Sequence, residues 1–350
     1  METTHRVFVG DSRELSQVAD GSVELVVTSP PYPMIEMWDD LFAELDPAIS
    51  DALASGNGRR AFDAMHAQLE YVWDELERVL VDGGIACINV GDATRSVDGS
   101  FRVYPNHARI LEAFEQRGFE PLPDILWRKP ANSVAKFMGS GMIPPNAYVT
   151  LEHEYVLVFR NGGTSREFEP RADRRYEAAY FWEERNRWFS DVWTDVVGEL
   201  QTINEGDEEL RERSAAYPLE IPYRLLCMYS TYGDTVLDPF WGTGTTTLAA
   251  MCAGRHSIGS ELENAFVEVF DERVEDVPAL SQSVGRSRLE RHRAFVERRR
   301  EAGKPISYDA EYYETPVVTK MEREIKLRKA RTVDRIEDGY RVEHAPLAGD

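Results

Sequence analysis

The sequence predicts an α/β protein whose mostly parallel, twisted sheet carries helices on both faces. Short apolar runs alternate with stretches in which apolar residues recur every three or four positions, and this alternation is typical of parallel strands joined by crossover helices. The chain has 350 residues, of which 42% are hydrophobic. That length allows one large domain with a smaller appended region.

The first part of the chain contains five predicted strands and two main helices. Strands are expected at residues 6–9, 23–28, 85–90, 125–127 and 154–159. Between the second and third strands, the apolar residues from Met65 to Leu80 fall at helical spacing within residues 41–81. Asp82-Gly83-Gly84 is expected to end this helix, and Gly118 to end a second helix over residues 108–117.

Residues 160–216 interrupt the alternation and are interpreted as a separate module, because they are polar, aromatic and charged with few signals of buried strands. The pattern then resumes. Helices are expected over residues 222–232, 245–253 and 263–277, and strands over residues 235–237 and 257–259. Residues 278–350 are interpreted as a basic helical tail.

The charge balance indicates a protein suited to concentrated salt. The chain carries 62 acidic and 40 basic residues, a formal net charge of −22, and only six of the basic residues are lysine. A halophilic host is the favoured interpretation, and an ordinary acidic cytosolic enzyme is the alternative. The start of the chain lacks the pattern of a secretory signal, and no window approaches 18 consecutive apolar residues. We therefore expect a cytosolic protein that does not span a membrane.

The three cysteines do not suggest a metal or disulfide site. Cys87, Cys227 and Cys252 each stand alone in an apolar stretch, so local spacing builds neither a zinc site nor a disulfide framework. No metal site is predicted.

Basic residues are concentrated in two regions. Residues 286–335 contain 15 Lys and Arg against 9 Asp and Glu, and the arginines between Arg166 and Arg187 are interleaved with aromatic residues. Such mixtures suit a surface that follows a nucleic-acid backbone. For the tail, a solvated helix face with pairs of opposite charge four residues apart is an equally good interpretation.

A glycine-containing loop follows one predicted strand and opens a helix. It reads Asp238-Pro239-Phe240-Trp241-Gly242-Thr243-Gly244-Thr245. Glycines let backbone amides approach a ligand, and the helix N-terminus offers free donors. The loop is neither a phosphate-binding P-loop nor a complete dinucleotide fingerprint. Glu261 lies about 20 residues further on, past the next strand, where a carboxylate can bind ribose hydroxyls. Together these residues favour a nucleoside-containing cofactor.

A second turn, Ser29-Pro30-Pro31-Tyr32, follows the predicted strand at residues 23–28. Its prolines fix the backbone and remove amide donors, so the turn presents carbonyl acceptors, the Ser29 hydroxyl and the Tyr32 ring. The carboxyl end of such a strand is where open α/β sheets bind ligands.

These two motifs, in this order and at this distance, resemble those of the β-class DNA amino-methyltransferases. The resemblance covers roughly residues 6–270 and implies a Rossmann-like class I methyltransferase, circularly permuted, with S-adenosyl-L-methionine as cofactor. It implies a catalytic half at residues 1–159, a target-recognition module at 160–216, a cofactor half at 217–277 and a tail at 278–350.

The resemblance also implies roles for individual residues. Expected catalytic residues are Ser29, Pro30, Pro31 and Tyr32. Expected cofactor contacts are Asp11, Ser12, Pro218, Ile221, Pro222, Asp238, Pro239, Phe240, Trp241, Gly242, Thr243, Gly244, Thr245, Glu261 and Leu262. Expected DNA contacts, chosen from the resemblance and from the basic regions, are Trp127, Lys129, Arg171, Arg174, Arg175, Arg298, Arg299 and Arg300.

The chemistry of an exocyclic amine explains the residues of the turn. The amine must direct its lone pair at the methyl group, and acceptors at Ser29 and Pro30 would favour this while Tyr32 stacks on a base rotated out of the duplex. A Ser-Pro-Pro-Tyr turn is typical of enzymes that methylate cytosine at N4, and no cysteine lies in the turn to attack cytosine carbon-5. Adenine-N6 methylation, RNA methylation and a non-catalytic nucleic-acid-binding module are the alternatives. The partners expected are duplex DNA and, as an open question, a cognate restriction endonuclease, with either a monomer or a dimer.

Overall fold

A ten-stranded sheet forms the centre of the molecule in the computed structural model, which describes residues 1–129, 148–197 and 217–349. The strands of this sheet are β1 (Glu2–Val9), β2 (Val23–Thr28), β3 (Leu80–Val90), β6 (Phe119–Arg128), β7 (His153–Asn161), β8 (Val192–Trp193), β9 (Thr235–Asp238), β10 (His256–Glu261), β13 (Arg328–Ile336) and β14 (Gly339–Pro346). They lie in the order β13-β14-β1-β10-β9-β2-β3-β7-β6-β8. The central five, from β1 to β3, are parallel, while β7 and β14 run antiparallel to their neighbours.

Helices cover both faces of the sheet. They are α1 (Asp39–Leu45), α2 (Pro47–Ala54), α3 (Gly58–Val79), α4 (Asn106–Gln116), α5 (Asp173–Glu177), α6 (Trp182–Trp188), α7 (Glu220–Tyr229), α8 (Thr245–Ala253), α9 (Asn264–Val274) and α10 (Val277–Glu301). Two 3-10 turns, Glu36–Trp38 and Lys320–Glu322, and two small sheets, β4 (Ala93–Val97) with β5 (Ser100–Tyr104) and β11 (Tyr308–Asp309) with β12 (Pro316–Val317), complete the described elements.

The core is divided by the sheet into two layers. Val26 of β2 packs with α3 and α4 on one face, whereas Leu25 and Val27 pack with α7 and α8 on the other. Successive side chains of a strand point to opposite faces, so the unbroken apolar run of β2 is required by burial on both sides. The predicted fold class is confirmed, and β2 has the predicted bounds.

Several predicted boundaries are wrong. Helix α3 ends at Val79 and β3 begins at Leu80, so Asp82-Gly83-Gly84 lies within the strand, where the register with β2 shifts. The expected helix over residues 263–277 is two helices, because the chain turns after Val274 and restarts with a proline in the first turn of α10. The tail is helical only as far as Glu301, and its second half contains the hairpin β13–β14 that extends the sheet beyond β1.

The described part of the segment 160–216 packs against the main body. Strand β8 pairs with β6, and Trp188 and Trp193 are buried in the same core layer as α7. The polar composition of this segment did not indicate that Trp188 and Trp193 would be buried. Residues 198–216 lie outside the described residues, and target recognition by the segment remains a prediction. None of the described helices is long and apolar enough to cross a membrane.

Candidate active site

A cavity of about 480 Å³ opens at the carboxyl-terminal edge of β1, β2, β9 and β10. Both predicted motifs line it, although about 200 residues separate them in the chain. Of the predicted residues, the lining includes Asp11, Ser12, Ser29, Pro30, Pro31, Tyr32, Asp238, Pro239, Phe240, Trp241, Gly242, Thr243, Thr245, Glu261 and Leu262. Parallel strands end at a common edge of the sheet, which explains why these residues meet.

Two hydrogen bonds join the N-terminal strands to the glycine-containing loop. The Thr28 hydroxyl, at the end of β2, donates to Asp238 Oδ1 over 2.6 Å. The Ser12 hydroxyl donates to the carbonyl oxygen of Pro239. Hydrogen bonds therefore join the glycine-containing loop to the ends of β1 and β2, from which the turn Ser29-Pro30-Pro31-Tyr32 follows.

The side chains of Ser29 and Tyr32 belong to a hydrogen-bond network that ends on a carboxylate. The Tyr32 hydroxyl donates to Glu154 Oε2 over 3.1 Å and lies 3.0 Å from Ser29 Oγ. Because the single Tyr32 proton is directed at Glu154, Ser29 must be the donor to Tyr32, which leaves the lone pairs of Ser29 Oγ available to accept a bond from a substrate. Burial, followed by the charge of Glu154, raises the pKa of Tyr32 well above its usual value, so the phenol stays protonated.

Asn89 and Glu154 are functional candidates that the sequence-based site did not include. Asn89 Nδ2 donates to Tyr32 Oη over 2.9 Å and to Glu154 Oε2 over 2.7 Å. Lys129 Nζ donates to Glu154 Oε1 over 2.9 Å. Asn89 is hidden in the apolar run of β3, and Glu154 comes from β7, which is antiparallel to β3. Only the strand order of the sheet brings Asn89 and Glu154 to Tyr32.

Asp238 organises the loop from inside the protein. Its carboxylate accepts bonds from Thr28, from Thr246 Oγ1 at 2.6 Å and from the Phe240 amide at 3.1 Å. Burial raises the pKa of this carboxyl to about 6, and the hydrogen bonds oppose the shift. Asp238 therefore supports the loop from behind, as a carboxylate whose acceptor sites are largely used by the protein itself.

Glu261 fixes the opposite side of the loop. Its Oε2 accepts the Gly242 amide over 2.7 Å, and its Oε1 accepts the Glu263 amide over 3.0 Å. Burial raises its pKa. Each carboxylate oxygen keeps a further lone pair that can accept a hydroxyl donor, which is the chemistry of a ribose contact.

Trp241 is accommodated by glycine at two positions. Its ring is buried, its indole N–H donates to Thr247 Oγ1 over 2.8 Å, and a Cβ added to Gly259 would lie 2.2 Å from the ring. A Cβ on Gly244, which has a positive φ of 74°, would lie 2.7 Å from the same ring. In contrast, Gly242 has a φ of 51° and open space beside it, with only the Phe240 carbonyl oxygen at 3.9 Å.

Four predicted cofactor contacts do not line the cavity. Pro218, Ile221 and Pro222 are buried at the start of α7, and Gly244 faces Trp241 and Phe270. Tyr217 lines the cavity instead, with its hydroxyl 2.6 Å from Thr246 Oγ1. Pro218, Ile221 and Pro222 are buried beside Tyr217, and contact of all four residues with a cofactor remains a prediction.

The predicted DNA contacts lie in different parts of the structure. Trp127 is buried and donates its indole N–H to the Val196 carbonyl oxygen, so its prediction as a DNA contact is wrong. Lys129 is half exposed and pairs with Glu154, which binds the Tyr32 hydroxyl. At the end of α10, Arg298 and Arg300 are exposed, and Arg299 donates to the Pro305 carbonyl oxygen.

The arginines between β7 and α6 lie at the other edge of the sheet. Arg174 forms an ion pair with Asp234, just before β9 begins, whereas the cavity lies beyond the end of β9. Arg171 pairs with Glu324, and Arg175 lies over the Phe168 ring. Arg171, Arg174 and Arg175 therefore lie away from the cavity, and their contact with DNA remains a prediction.

Comparison with known proteins identifies the class of protein to which this fold and cavity belong. A family model described as DNA methylase, which covers the N6 and N4 amino-methylases, matches residues 23–272. The chain therefore belongs to the N6/N4 DNA methylase family. The cofactor of this family is S-adenosyl-L-methionine, as expected from the sequence.

Individual relatives are similar over most of their length. The type II methyltransferase M.MthZI of Methanothermobacter thermautotrophicus is 49% identical over 341 residues, or 97% of this chain and 94% of that protein. The type II methyltransferase M.MjaI of Methanocaldococcus jannaschii is 48% identical over 283 residues, or 78% of this chain and 91% of that protein.

Solved structures confirm the class I methyltransferase fold. A protein of Thermus thermophilus, described as a putative DNA modification methylase and solved with S-adenosyl-L-methionine, is 33% identical with a TM-score of 0.60, over 77% of this chain and 92% of that chain. The cytosine-N4-specific PvuII DNA methyltransferase has a TM-score of 0.52 at 17% identity and covers 77% of this chain and 86% of its own. At that identity the similarity concerns the fold alone.

The cavity suits the family's cofactor. Gly242 leaves open space in which a Cβ would otherwise project, and Glu261 offers free carboxylate lone pairs beside it. Phe240 and Leu262 add apolar surface to the same lining. A nucleoside needs this combination of close backbone approach, hydroxyl acceptors and apolar walls.

Proposed function

We propose that this protein is a type II DNA methyltransferase that methylates the exocyclic N4 amine of cytosine in duplex DNA. The observation that carries the proposal is the single cavity shared by Ser29, Tyr32 and the loop from Asp238 to Thr243. A donor bound at the loop and an amine held at Ser29 would occupy one enclosed space. Such proximity is the main requirement of a methyl-transfer reaction.

When bound, S-adenosyl-L-methionine supplies an electrophilic methyl group on a positively charged sulfur. The Gly242 loop and Glu261 would hold its nucleoside, while Asp238, behind the loop, keeps the loop in place. None of the three cysteines lines the cavity, and burial raises the pKa of Cys252 to about 12. This arrangement supports direct transfer to an amine over a mechanism that begins with thiolate attack on the ring.

The catalytic turn would act on the amine by accepting its N–H bonds. Ser29 Oγ donates its own proton towards Tyr32, so it faces the substrate as an acceptor, and the Pro30 carbonyl is the second acceptor that we propose. Accepting both N–H bonds turns the amine lone pair out of conjugation with the ring. A target base in a duplex must be rotated out of the stack to reach these groups, at a cost of about a few kcal/mol.

Adenine-N6 methylation is the second candidate, and Glu154 is the observation that favours it. The first residue of the turn is an uncharged serine, but a carboxylate lies one hydroxyl away, through Tyr32. Through Tyr32 this carboxylate can strengthen the acceptor at Ser29, much as the aspartate would in the Asp-Pro-Pro-Tyr turn that is typical of adenine-N6 enzymes. We favour cytosine because the Ser-Pro-Pro-Tyr turn is typical of cytosine-N4 enzymes.

Transfer of labelled methyl groups to nucleic acid tests the activity. We expect label in duplex DNA and not in RNA, with Ser29→Ala and Tyr32→Ala lowering turnover far more than affinity for the cofactor. Label in RNA alone would reject the DNA assignment. Equal losses of turnover and cofactor affinity would reject the proposed role of the turn.

Further parts of the proposal concern the tail and the host. We propose that Arg298, Arg299 and Arg300 contact DNA phosphates. We also propose that a restriction endonuclease of the same specificity accompanies the enzyme. The net charge of −22 would be an adaptation to a saline cell. Cleavage of unmodified incoming DNA by the host cell would reveal such an endonuclease.

A further inference from the structure

A two-stranded hairpin separate from the main sheet projects between β3 and α4. Strands β4 and β5 pair from Ala93 with Tyr104 to Val97 with Ser100, and Asp98-Gly99 forms the turn. Both turn residues have positive φ, 48° and 73°. This is the two-residue turn whose twist matches a pair of antiparallel strands, so the hairpin has a well-defined shape.

The base of the hairpin is fixed to the catalytic turn. Asn106 Nδ2, just after β5, donates to the carbonyl oxygens of Gly91 over 2.9 Å and Pro33 over 3.2 Å. Arg95, within β4, makes two bonds of 2.8 and 2.7 Å to the carboxylate of Asp39 at the start of α1. A Cβ on Gly91 would lie 3.2 Å from the Tyr32 ring. The hairpin therefore starts at the active site and has a fixed direction from it.

The two faces of the hairpin differ. On one face Tyr104 and Val97 pack against α3 so closely that a Cβ on Gly58 would lie 2.2 Å from the Tyr104 hydroxyl. The opposite face carries Thr94, Ser96, Phe101 and Val103, because residues paired across antiparallel strands share a face. Phe101 and Val103 are 40% and 47% exposed. Among the described residues, the ring stacked on this face is Tyr148, whose centroid is 4.3 Å from that of Phe101.

Positive charge lies beside this exposed face. A cavity of about 240 Å³ between the hairpin and helices α3 and α4 is lined by Arg59, Arg102 and Arg109, together with Asp63 and Glu112. Arg102 is exposed and lies over the Tyr104 ring. Arg59 pairs with Asp63, and Arg109 pairs with Glu70 and Glu112. Arg102 forms no ion pair among the described residues, so it is the cation of this group that a phosphate of DNA could bind.

We propose that the hairpin β4–β5 is a DNA-contacting ribbon that lies in a groove of the duplex beside the target base. Its exposed face would meet the groove, while the exposed Arg102, which lies on the side of Tyr104, would reach a phosphate at the edge of the groove. A two-stranded ribbon fits the major groove. Five residues per strand reach roughly 17 Å at about 3.3 Å per residue, which corresponds to about five base pairs at 3.4 Å each. This inference rests on the proposed function, because only a DNA substrate brings a duplex to this edge.

Substitution of Phe101 tests the contact by steady-state kinetics with unmethylated, PCR-amplified genomic DNA. We expect Phe101→Ala to raise KM for DNA about tenfold, the size expected when one phenyl ring is no longer buried against base edges in the groove, while kcat and cofactor affinity stay unchanged. Tyr71→Ala, which removes an exposed aromatic ring from α3, is the matched control and should change nothing. An unchanged KM in Phe101→Ala would overturn the proposal. If the unaltered enzyme methylates no DNA, the proposed function itself fails.

Chemical labelling identifies what covers the exposed face. All three native cysteines are buried, so Ser96→Cys introduces an accessible thiol on the hairpin, and Ser165→Cys places a control thiol near Gly83, at the other edge of the sheet. We expect both thiols to react freely without DNA and only the one at position 96 to be protected by DNA. Lack of reaction at position 96 without DNA would show that the chain itself covers this face. Reaction unaffected by DNA would show that no duplex lies there. Either result overturns the proposal.

Discussion

Replacement of Glu154 by glutamine tests the hydrogen-bond network behind Ser29 and Tyr32, the residues that we propose to be catalytic. Glu154 is the common acceptor for Tyr32, Asn89 and Lys129, at 3.1, 2.7 and 2.9 Å. A glutamine has one acceptor oxygen and an NH2 group, so it cannot accept from all three. If its NH2 group donates to Tyr32, the phenol proton turns towards Ser29 and occupies the acceptor that the substrate amine needs.

The expected loss follows from the bonds that change. A hydrogen bond to a charged group contributes about 1.5–3 kcal/mol, and each 1.36 kcal/mol of barrier is a factor of ten in rate. Loss of one such bond predicts that kcat falls about 10- to 100-fold in Glu154→Gln. Cofactor affinity should stay within about twofold, because Glu154 is absent from the cavity lining. The pKa of Tyr32 should fall but remain above its usual value, since burial is the larger cause of its increase.

Single-turnover methyl transfer with saturating DNA and cofactor measures this effect without interference from product release. Glu152→Gln is the matched control, because Glu152 is exposed, lies two residues earlier and pairs only with the exposed Arg128 among the described residues. Its single-turnover rate should equal that of the unaltered enzyme. An unchanged rate in Glu154→Gln would refute the role assigned to the carboxylate.

Four other predictions address the loop, the tail and the surface. Burial raises the pKa of Asp238 from 3.8 to about 6. Its ionisation should therefore lower the free energy of unfolding by about 3 kcal/mol as the pH rises from 4 to above 6. Urea unfolding should show this loss in the unaltered protein but not in Asp238→Asn. Glu261→Ala should weaken cofactor binding in calorimetry, and unchanged affinity would contradict the ribose contact. Neutralising Arg298, Arg299 and Arg300 should flatten the slope of log affinity for DNA against log salt by about 0.9 for each lost phosphate contact. The free energy of unfolding should rise between about 0.2 and 2 M KCl if repulsion within the −22 charge is screened, and a fall would reject the halophilic interpretation.

The site could be predicted where function depends on local motifs at strand ends. The turn at Ser29 and the loop at Asp238 each follow a buried strand, and parallel strands bring such segments together whatever their separation in the chain. Glu154 and Asn89 were missed because their meeting depends on β7 lying antiparallel beside β3. The spacing of residues within β3 or within β7 does not indicate which strands are neighbours in the sheet.

Composition alone did not show where the aromatic and basic residues after β7 lie in the fold. The aromatic and basic residues after β7 suggested a nucleic-acid interface, but the aromatic rings of Trp188 and Trp193 are core anchors, and Arg174 pairs with Asp234 at the opposite edge of the sheet from the cavity. The hairpin β4–β5 was detectable in principle, because an Asp-Gly pair between Val97 and Ser100 is a strong signal for a two-residue turn. Its position beside Tyr32 depends on the tertiary bonds of Asn106 and Arg95.

The identity of the methylated nucleoside tests the central claim most directly. Unmethylated genomic DNA incubated with the enzyme and S-adenosyl-L-methionine would be digested to nucleosides and analysed by mass spectrometry. The account predicts N4-methylcytosine, which disappears when Ser29 is replaced by alanine. N6-methyladenine as the product would contradict the assignment of the base, and the absence of any methylated nucleoside would contradict the proposed function.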